Sequence, residues 1–199
     1  MESISIEMRE RVETILNIDY SPYTDPYDMK AQIDNTISYE WIDKYQKQCE
    51  EKVSALSIVI DGYTFLWDET YERVVAVYGM TTSELLNAVK PREKSRTAYY
   101  YRNFVKRFGE TKYDTGHFIA HSIGGRMDIN LFPQKRDINR GYSKEGSIYR
   151  KMENYAKKHP ETLVLSRPIY FDDTWRPFFL EYGVWVADSG LSLKVFDNI

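Results

Sequence analysis

Between Tyr113 and Gly141 the chain reads YDTGHFIAHSIGGRMDINLFPQKRDINRG, which gathers Asp114, His117, His121, Asn130 and Asn139 among Arg126, Lys135, Arg136 and Arg140. A histidine can take a proton from water near neutral pH. An asparagine is a weak neutral oxygen ligand, which suits a divalent ion such as Mg²⁺ that keeps several of its waters and takes few protein ligands. Arginines and lysines hold polyanions. Hydrolysis of a phosphodiester needs these three parts: a base for the water, a metal for the charge on phosphorus and the leaving oxygen, and cations for the backbone.

The local pattern puts the residues on defined elements. Lys112 to Ala120 reads as a strand carrying Asp114 and His117, Gly124-Gly125 opens a loop, and Asn130 to Pro133 reads as a second short strand. A polar turn with Asp137 and Asn139 leads into a helix from about Lys144 to Lys158, which His159-Pro160 should end. Strand, loop, strand and helix is the order of a ββα-metal unit. His117 and His121 also spell His-x-x-x-His, a zinc pair if helical, but Phe118-Ile-Ala120 and the glycines argue for a strand end. That leaves His121 a supporting or phosphate-contacting role. Asp114 is read as orienting His117 or closing a turn in preference to ligating metal, and Asn130 as contacting substrate or bonding loop backbone. A lone His is more often structural; the order of its partners is what favours a base here.

The rest of the chain must support that unit. Met8, Val12, Ile15 and Leu16 have helical spacing, the prolines of Tyr20 to Tyr27 enforce a break, and a second helical pattern runs from about Ser38 to Val53. These helices form an N-terminal lead-in, residues 1–56, with no visible chemistry. From Ser57 the period changes to that of strands: Ile58 to Ile60, a tight turn at Asp61-Gly62, Tyr63 to Trp67, and Val74 to Tyr78, an antiparallel meander. Thr81 to Val89 reads as a short capped helix, and three strands follow the long one, at Thr162 to Arg167, Phe178 to Ala187 and Leu191 to Phe196. The fold class is α+β with antiparallel sheet, and residues 57–199 form the second domain.

Composition agrees. Of 199 residues 42% are hydrophobic and 15% aromatic, enough for a core, and no apolar run approaches a membrane span. The single cysteine, Cys49, excludes an intrachain disulfide and a cysteine-based zinc site, and it falls among apolar helix positions. Residues 1–89 carry 7 Lys and Arg against 17 Asp and Glu, whereas residues 90–199 carry 20 against 13. The basic half has the charge of a phosphate-binding surface, unless the two halves simply neutralise each other. Lys90 to Lys112, with eight basic and two acidic residues, interleaves Tyr and Phe side chains that either stack bases or pack beneath the sheet. The polar, acidic N-terminus has no secretion signal, so a cytoplasmic location or a signal-peptide-independent export route is expected.

The segment resembles the DNA/RNA non-specific endonuclease family of His-Me finger nucleases. The family's Asp-Arg-Gly-His motif is matched by Asp114-Thr115-Gly116-His117, and its later asparagine by Asn139 in Asp137-Ile-Asn-Arg-Gly141, preceded by Asn130-Leu-Phe-Pro-Gln134. The resemblance implies that His117 is the general base, that Asn139 binds Mg²⁺ or another divalent ion such as Mn²⁺, and that Glu153 helps hold the metal's water shell. It covers residues 57 to 199, densest from Tyr113 to Glu153. Ser166-Arg-Pro-Ile-Tyr170 and Leu180-Glu-Tyr-Gly183 extend it to nuclease domains at the C-termini of bacterial polymorphic toxins. Two departures stand out: Thr115 replaces the motif arginine, and Tyr142 to Ser147 reads as an insertion ahead of Glu153.

The expected catalytic set is therefore His117, Asp114, Arg140 and Glu153, with Asn139 on the metal. Arg126, Asn130, Lys135, Arg136 and His121 are expected on the substrate. The expected function is metal-dependent, non-specific cleavage of DNA or RNA or both, with a toxin's role and a cognate immunity protein as partner. Thr115 motivates the rival: a degenerate nuclease fold that binds nucleic acid or a protein without cutting.

Overall fold

The computed structural model describes residues 6–20, 23–49, 52–91, 99, 103, 105–108, 111–126 and 128–199. Most of the basic aromatic stretch from Lys90 to Phe108 lies outside the described residues. The elements in chain order are helices α1 (Ile6–Leu16), α2 (Pro26–Gln32) and α3 (Ser38–Gln46), strands β1 (Ala55–Ile60), β2 (Tyr63–Asp68) and β3 (Arg73–Met80), and helix α4 (Ser83–Asn87). Then come β4 (Tyr113–His117), β5 (Leu131–Lys135), α5 (Arg136–Arg140), α6 (Lys144–Lys158), β6 (Leu163–Ile169), β7 (Phe179–Val186) and β8 (Gly190–Asp197).

The meander and the C-terminal strands form one sheet. Its order is β1-β2-β3-β6-β7-β8, every pair antiparallel, and β3 meets β6 with Val77 opposite Ser166 and Met80 opposite Leu163. All eight residues of β3 are buried, which explains its continuous apolar run: a central strand covered on both faces has no solvent side to alternate with. At the β1–β2 turn Asp61 (φ 48°) and Gly62 (φ 82°) both take the left-handed conformation that a two-residue hairpin requires.

One face carries the N-terminal helices. Met29, Ile33, Ile37, Trp41 and Tyr45 pack on Leu66, Ala76, Tyr78, Leu165 and Trp185. Two local expectations change here. Pro26 does not break a helix but begins one, at the first turn where its missing N–H costs nothing, and Asp25 caps it by accepting from the N–H groups of Tyr27 and Asp28. The expected helix to Val53 stops at Gln46, whose side-chain oxygen accepts from the Val53 N–H at 2.9 Å. A π-helical turn, Ile33–Ile37, joins α2 to α3.

The opposite face carries the ββα unit. Hairpin β4–β5 pairs Tyr113 with Lys135 through His117 with Leu131, and the Tyr149 hydroxyl of α6 reaches the His117 carbonyl. Phe118 and Phe132 stack at 4.3 Å between ring centroids, and with Ile119, Tyr149, Met152 and Ala156 they pack on Tyr63, Phe65, Val77, Val164, Tyr182 and Val184. The buried face of α6 is centred on Tyr149, Met152 and Ala156, with Ile148 and Tyr155 at its margins.

The N-terminal segment is also tied to the sheet by charge. Arg167 on β6 and Glu181 on β7 are an ion pair at 2.6 Å with side chains only 4% and 1% exposed. Tyr20 donates to Glu181 at 3.3 Å and accepts from the Trp41 indole at 3.0 Å, while Arg167 Nη1 donates to the Ile15 carbonyl at 3.0 Å. Removing one member would strand a buried charge. Glu181→Leu should therefore cost about 3–5 kcal/mol, read as a lowered urea midpoint with the slope unchanged. A loss below about 1 kcal/mol would mean that the pair does not hold the segment.

Candidate active site

Two close backbone contacts shape the loop that separates β4 from β5. A Cβ on Gly125 would lie 1.8 Å from the Ile119 carbonyl oxygen, and one on Gly116 would lie 2.3 Å from Cβ of Gln134, so larger residues would push the loop and the hairpin apart. Asn130 closes the loop. Its Oδ1 accepts from the Ile119 N–H at 2.8 Å, and its Nδ2 donates to the carbonyls of Ile119 (2.8 Å) and Arg126 (3.0 Å). The expectation that Asn130 meets substrate is corrected by its burial, 1% exposed, with both ends of its amide spent on backbone. It is the pin that sets the position of the chain leaving His117.

Asp114 is the hub of the charged residues. Arg140 donates to it from Nε at 2.6 Å and Nη2 at 3.0 Å, Arg136 from Nε at 3.2 Å, and Asn139 from Nδ2 at 3.4 Å. The expected polar turn before the long helix is itself the short helix α5, which presents these three side chains to one carboxylate. Burial opposes ionisation of Asp114, but the hydrogen bonds from Arg140 and Asn139 and the charges of Arg140 and Arg136 outweigh it. Its pKa therefore lies below the ordinary carboxylate value.

Asn139 is fixed from both sides, since its backbone carbonyl also accepts from Arg150 Nη2 at 2.6 Å. With Nδ2 turned to Asp114, its Oδ1 accepts no hydrogen bond from the described residues. Among those residues no three His, Cys, Asp or Glu side chains cluster as a metal cage. One neutral oxygen ligand beside a carboxylate is a donor set that fits a largely hydrated hard cation and does not fit a site built of many protein ligands.

His117 ends β4 and is 5% exposed. Its ring lies 6.2 Å from that of His121, and its carbonyl accepts from the Tyr149 hydroxyl at 3.3 Å. Burial, and after it the charge of Glu153, holds that hydroxyl well above the ordinary tyrosine pKa, so Tyr149 remains a donor. His121 lies in a 3-10 turn, His121–Ile123, with Nε2 at 2.8 Å from the Lys90 carbonyl oxygen and Nδ1 at 3.3 Å from that of Gly125. Only one nitrogen of a neutral ring can donate, so these contacts fix the ring but not its tautomer.

The structure thus joins Asp114 with Arg136, Asn139 and Arg140, and His117 with His121 and, through Tyr149, with Glu153. Arg126 pairs instead with Asp61 of the β1–β2 turn at 2.9 Å, and Lys135 lies 3.9 Å from Asp197. Thr115, in the motif arginine's place, buries a hydroxyl that has no hydrogen-bond partner among the described residues. Sequence reasoning missed Tyr149, Arg150 and Asn198. Of these, Asn198 anchors β5 by accepting from the Lys135 N–H at 2.6 Å and donating to the Pro133 carbonyl at 2.9 Å. For Tyr149 the four-residue spacing to Glu153 was the available signal, whereas Asn198 has none, being 63 residues from Lys135.

Solved structures that resemble the chain include the following three. Sda1 nuclease with a bound zinc ion is 18% identical over 73% of this chain and 76% of that one, with a TM-score of 0.46. NucA from Streptococcus agalactiae is 14% identical over 84% and 92%, with a TM-score of 0.48. EndoG in its complex with EndoGI is 16% identical over 80% of each chain, with a TM-score of 0.46. No curated protein matches in sequence. Residues 54–182, which contain the hairpin, α5 and α6, match the model of the DNA/RNA non-specific endonucleases, and the chain belongs to that family.

Proposed function

We propose that this endonuclease cuts DNA, RNA or both by metal-dependent hydrolysis, with His117 as general base and Asn139 as the protein ligand of a divalent cation such as Mg²⁺. The observation that carries the reading is the asparagine held by Asp114 and Arg150 with its amide oxygen left over, on the helix that follows the His117 hairpin. When bound, the cation would neutralise charge on the phosphorane and the leaving 3′ oxygen. The chain's own residues do the rest. One imidazole nitrogen of His117 takes the proton of the attacking water, and Tyr149 steadies the backbone that carries the ring. Asp114 positions Asn139 and keeps Arg140 and Arg136 beside it, where they meet phosphate oxygens. Glu153, one turn along α6 from Tyr149, suits a role in holding metal-bound water. A toxin's use of this activity, restrained by an immunity protein, rests on the sequence resemblance alone.

His117→Ala should lower plasmid and RNA cleavage by roughly 10²- to 10⁴-fold, the usual worth of a general base. EDTA should abolish cutting by the wild type, and Mg²⁺ or Mn²⁺ should restore it. Substrate bound and shifted in a gel, yet uncut under every metal, would identify a degenerate binder instead.

Asp114 gives a pH signature. Because its pKa is depressed on folding, its contribution to stability is complete above the unfolded value of about 3.9 and is lost as pH falls through the folded value. Asp114→Asn should therefore be less stable than wild type in urea at pH 7, and the two should converge below about pH 4. Curves that stay equally far apart at pH 7 and pH 3 would show that the carboxylate charge is not what holds α5.

A further inference from the structure

A groove opens beside His121. It encloses about 660 Å³ between α4, the β1–β2 turn and the loop from His121 to Asp128. One wall is apolar, from Leu85 of α4 and from Ala88 and Val89, the two residues after it. At the rim Arg126 reaches from the loop to Asp61 of the turn, both side chains about half exposed, at 55% and 46%. An exposed pair of this kind is worth at most about 1 kcal/mol, so a phosphate can take the guanidinium from it at little cost. The groove begins one imidazole away from the proposed base, since His121 lines it and its ring neighbours that of His117.

We infer that this groove receives an unpaired nucleotide of the substrate strand, the base against Leu85, Ala88 and Val89 and the adjoining phosphate on Arg126. The inference rests on the nuclease reading and specifies which substrate form the site prefers. A tract for duplex backbone should be basic along its length. Among the described residues this groove is not, since Asp61, Glu84 and Asp128 share its lining with Lys90 and Arg126. Carboxylates repel a second phosphate strand but accept hydrogen bonds from the exocyclic amines of a base, and an apolar wall takes a base face without regard to sequence. Arg126 then supplies, from a loop, a phosphate contact at the edge of a site whose motif position holds Thr115.

The test uses the full chain carrying His117→Ala, so that substrate survives, with labelled single-stranded and duplex oligonucleotides of one sequence followed by fluorescence anisotropy. The single strand should bind more tightly, and Ala88→Trp, which fills the groove from an exposed position, should lower the single-strand to duplex affinity ratio about tenfold or more, the usual worth of a stacked base. Arg126→Gln should weaken single-strand binding and flatten its salt dependence by about one phosphate contact. Equal affinity for both forms, or a ratio that Ala88→Trp leaves unchanged, would overturn the inference. Cleavage by the unmutated chain is scored separately. Cutting with no groove effect rejects the groove alone, and a groove effect with no cutting rejects the nuclease reading alone.

Discussion

A two-stranded hairpin is marginally stable in water, so β4 and β5 hold their catalytic candidates only because the apolar residues in and beside them share a core with α6 and the six-stranded sheet. Everything near the site follows from that constraint. The Phe118–Phe132 stack supplies the apolar contact, and Tyr149 supplies the polar one, crossing from the helix to the carbonyl of His117. The backbone that carries the His117 ring is thus held from the helix side. The same logic explains the buried amide of Asn130. A loop between a rigid strand and its partner needs its backbone groups satisfied, and one asparagine meets three of them at once.

The charges obey a complementary rule. Asp114 draws two arginines and an asparagine to one carboxylate, which costs little because the cluster stays partly hydrated, the Arg140 side chain being 44% exposed. Arg167 and Glu181 are different: sealed in the sheet, they hold the segment before α2 in place through Tyr20 and the Ile15 carbonyl. Acidic front and basic back are therefore joined through one sheet. The helices of the front cover one face of the sheet, and the residues of the candidate site gather on the other.

Local pattern made much of this legible. Helix α6 was expected at Lys144 to Lys158 and has those bounds, and Asp61-Gly62 and the three C-terminal strands were visible from turn chemistry and alternation. The joining of β3 to β6 was not, because pairing Met80 with Leu163 is a long-range choice among several apolar strands that no local period encodes. Pro26 misled for a related reason: proline stops a helix in its interior and starts one at its first turn, and only Asp25 before it tells the two apart. In the site, the motif pointed to Asp114, His117 and Asn139. It could not say that Asp114 would bond Asn139, since that depends on where α5 turns back after β5.

Thr115 brings these threads together. Alternation along β4 sends Thr115 and His117 to the same face, so an arginine in the motif position would have accompanied the base. Threonine is too short to do so, and its hydroxyl is tucked into the protein. Cationic charge at that end of the strand must then come from another element. Arg136 and Arg140 bring some of it from α5, beside Asp114, three residues back along β4 from His117. Arg126, on the loop that Asn130 pins, is held only by an exposed partner that a phosphate can displace.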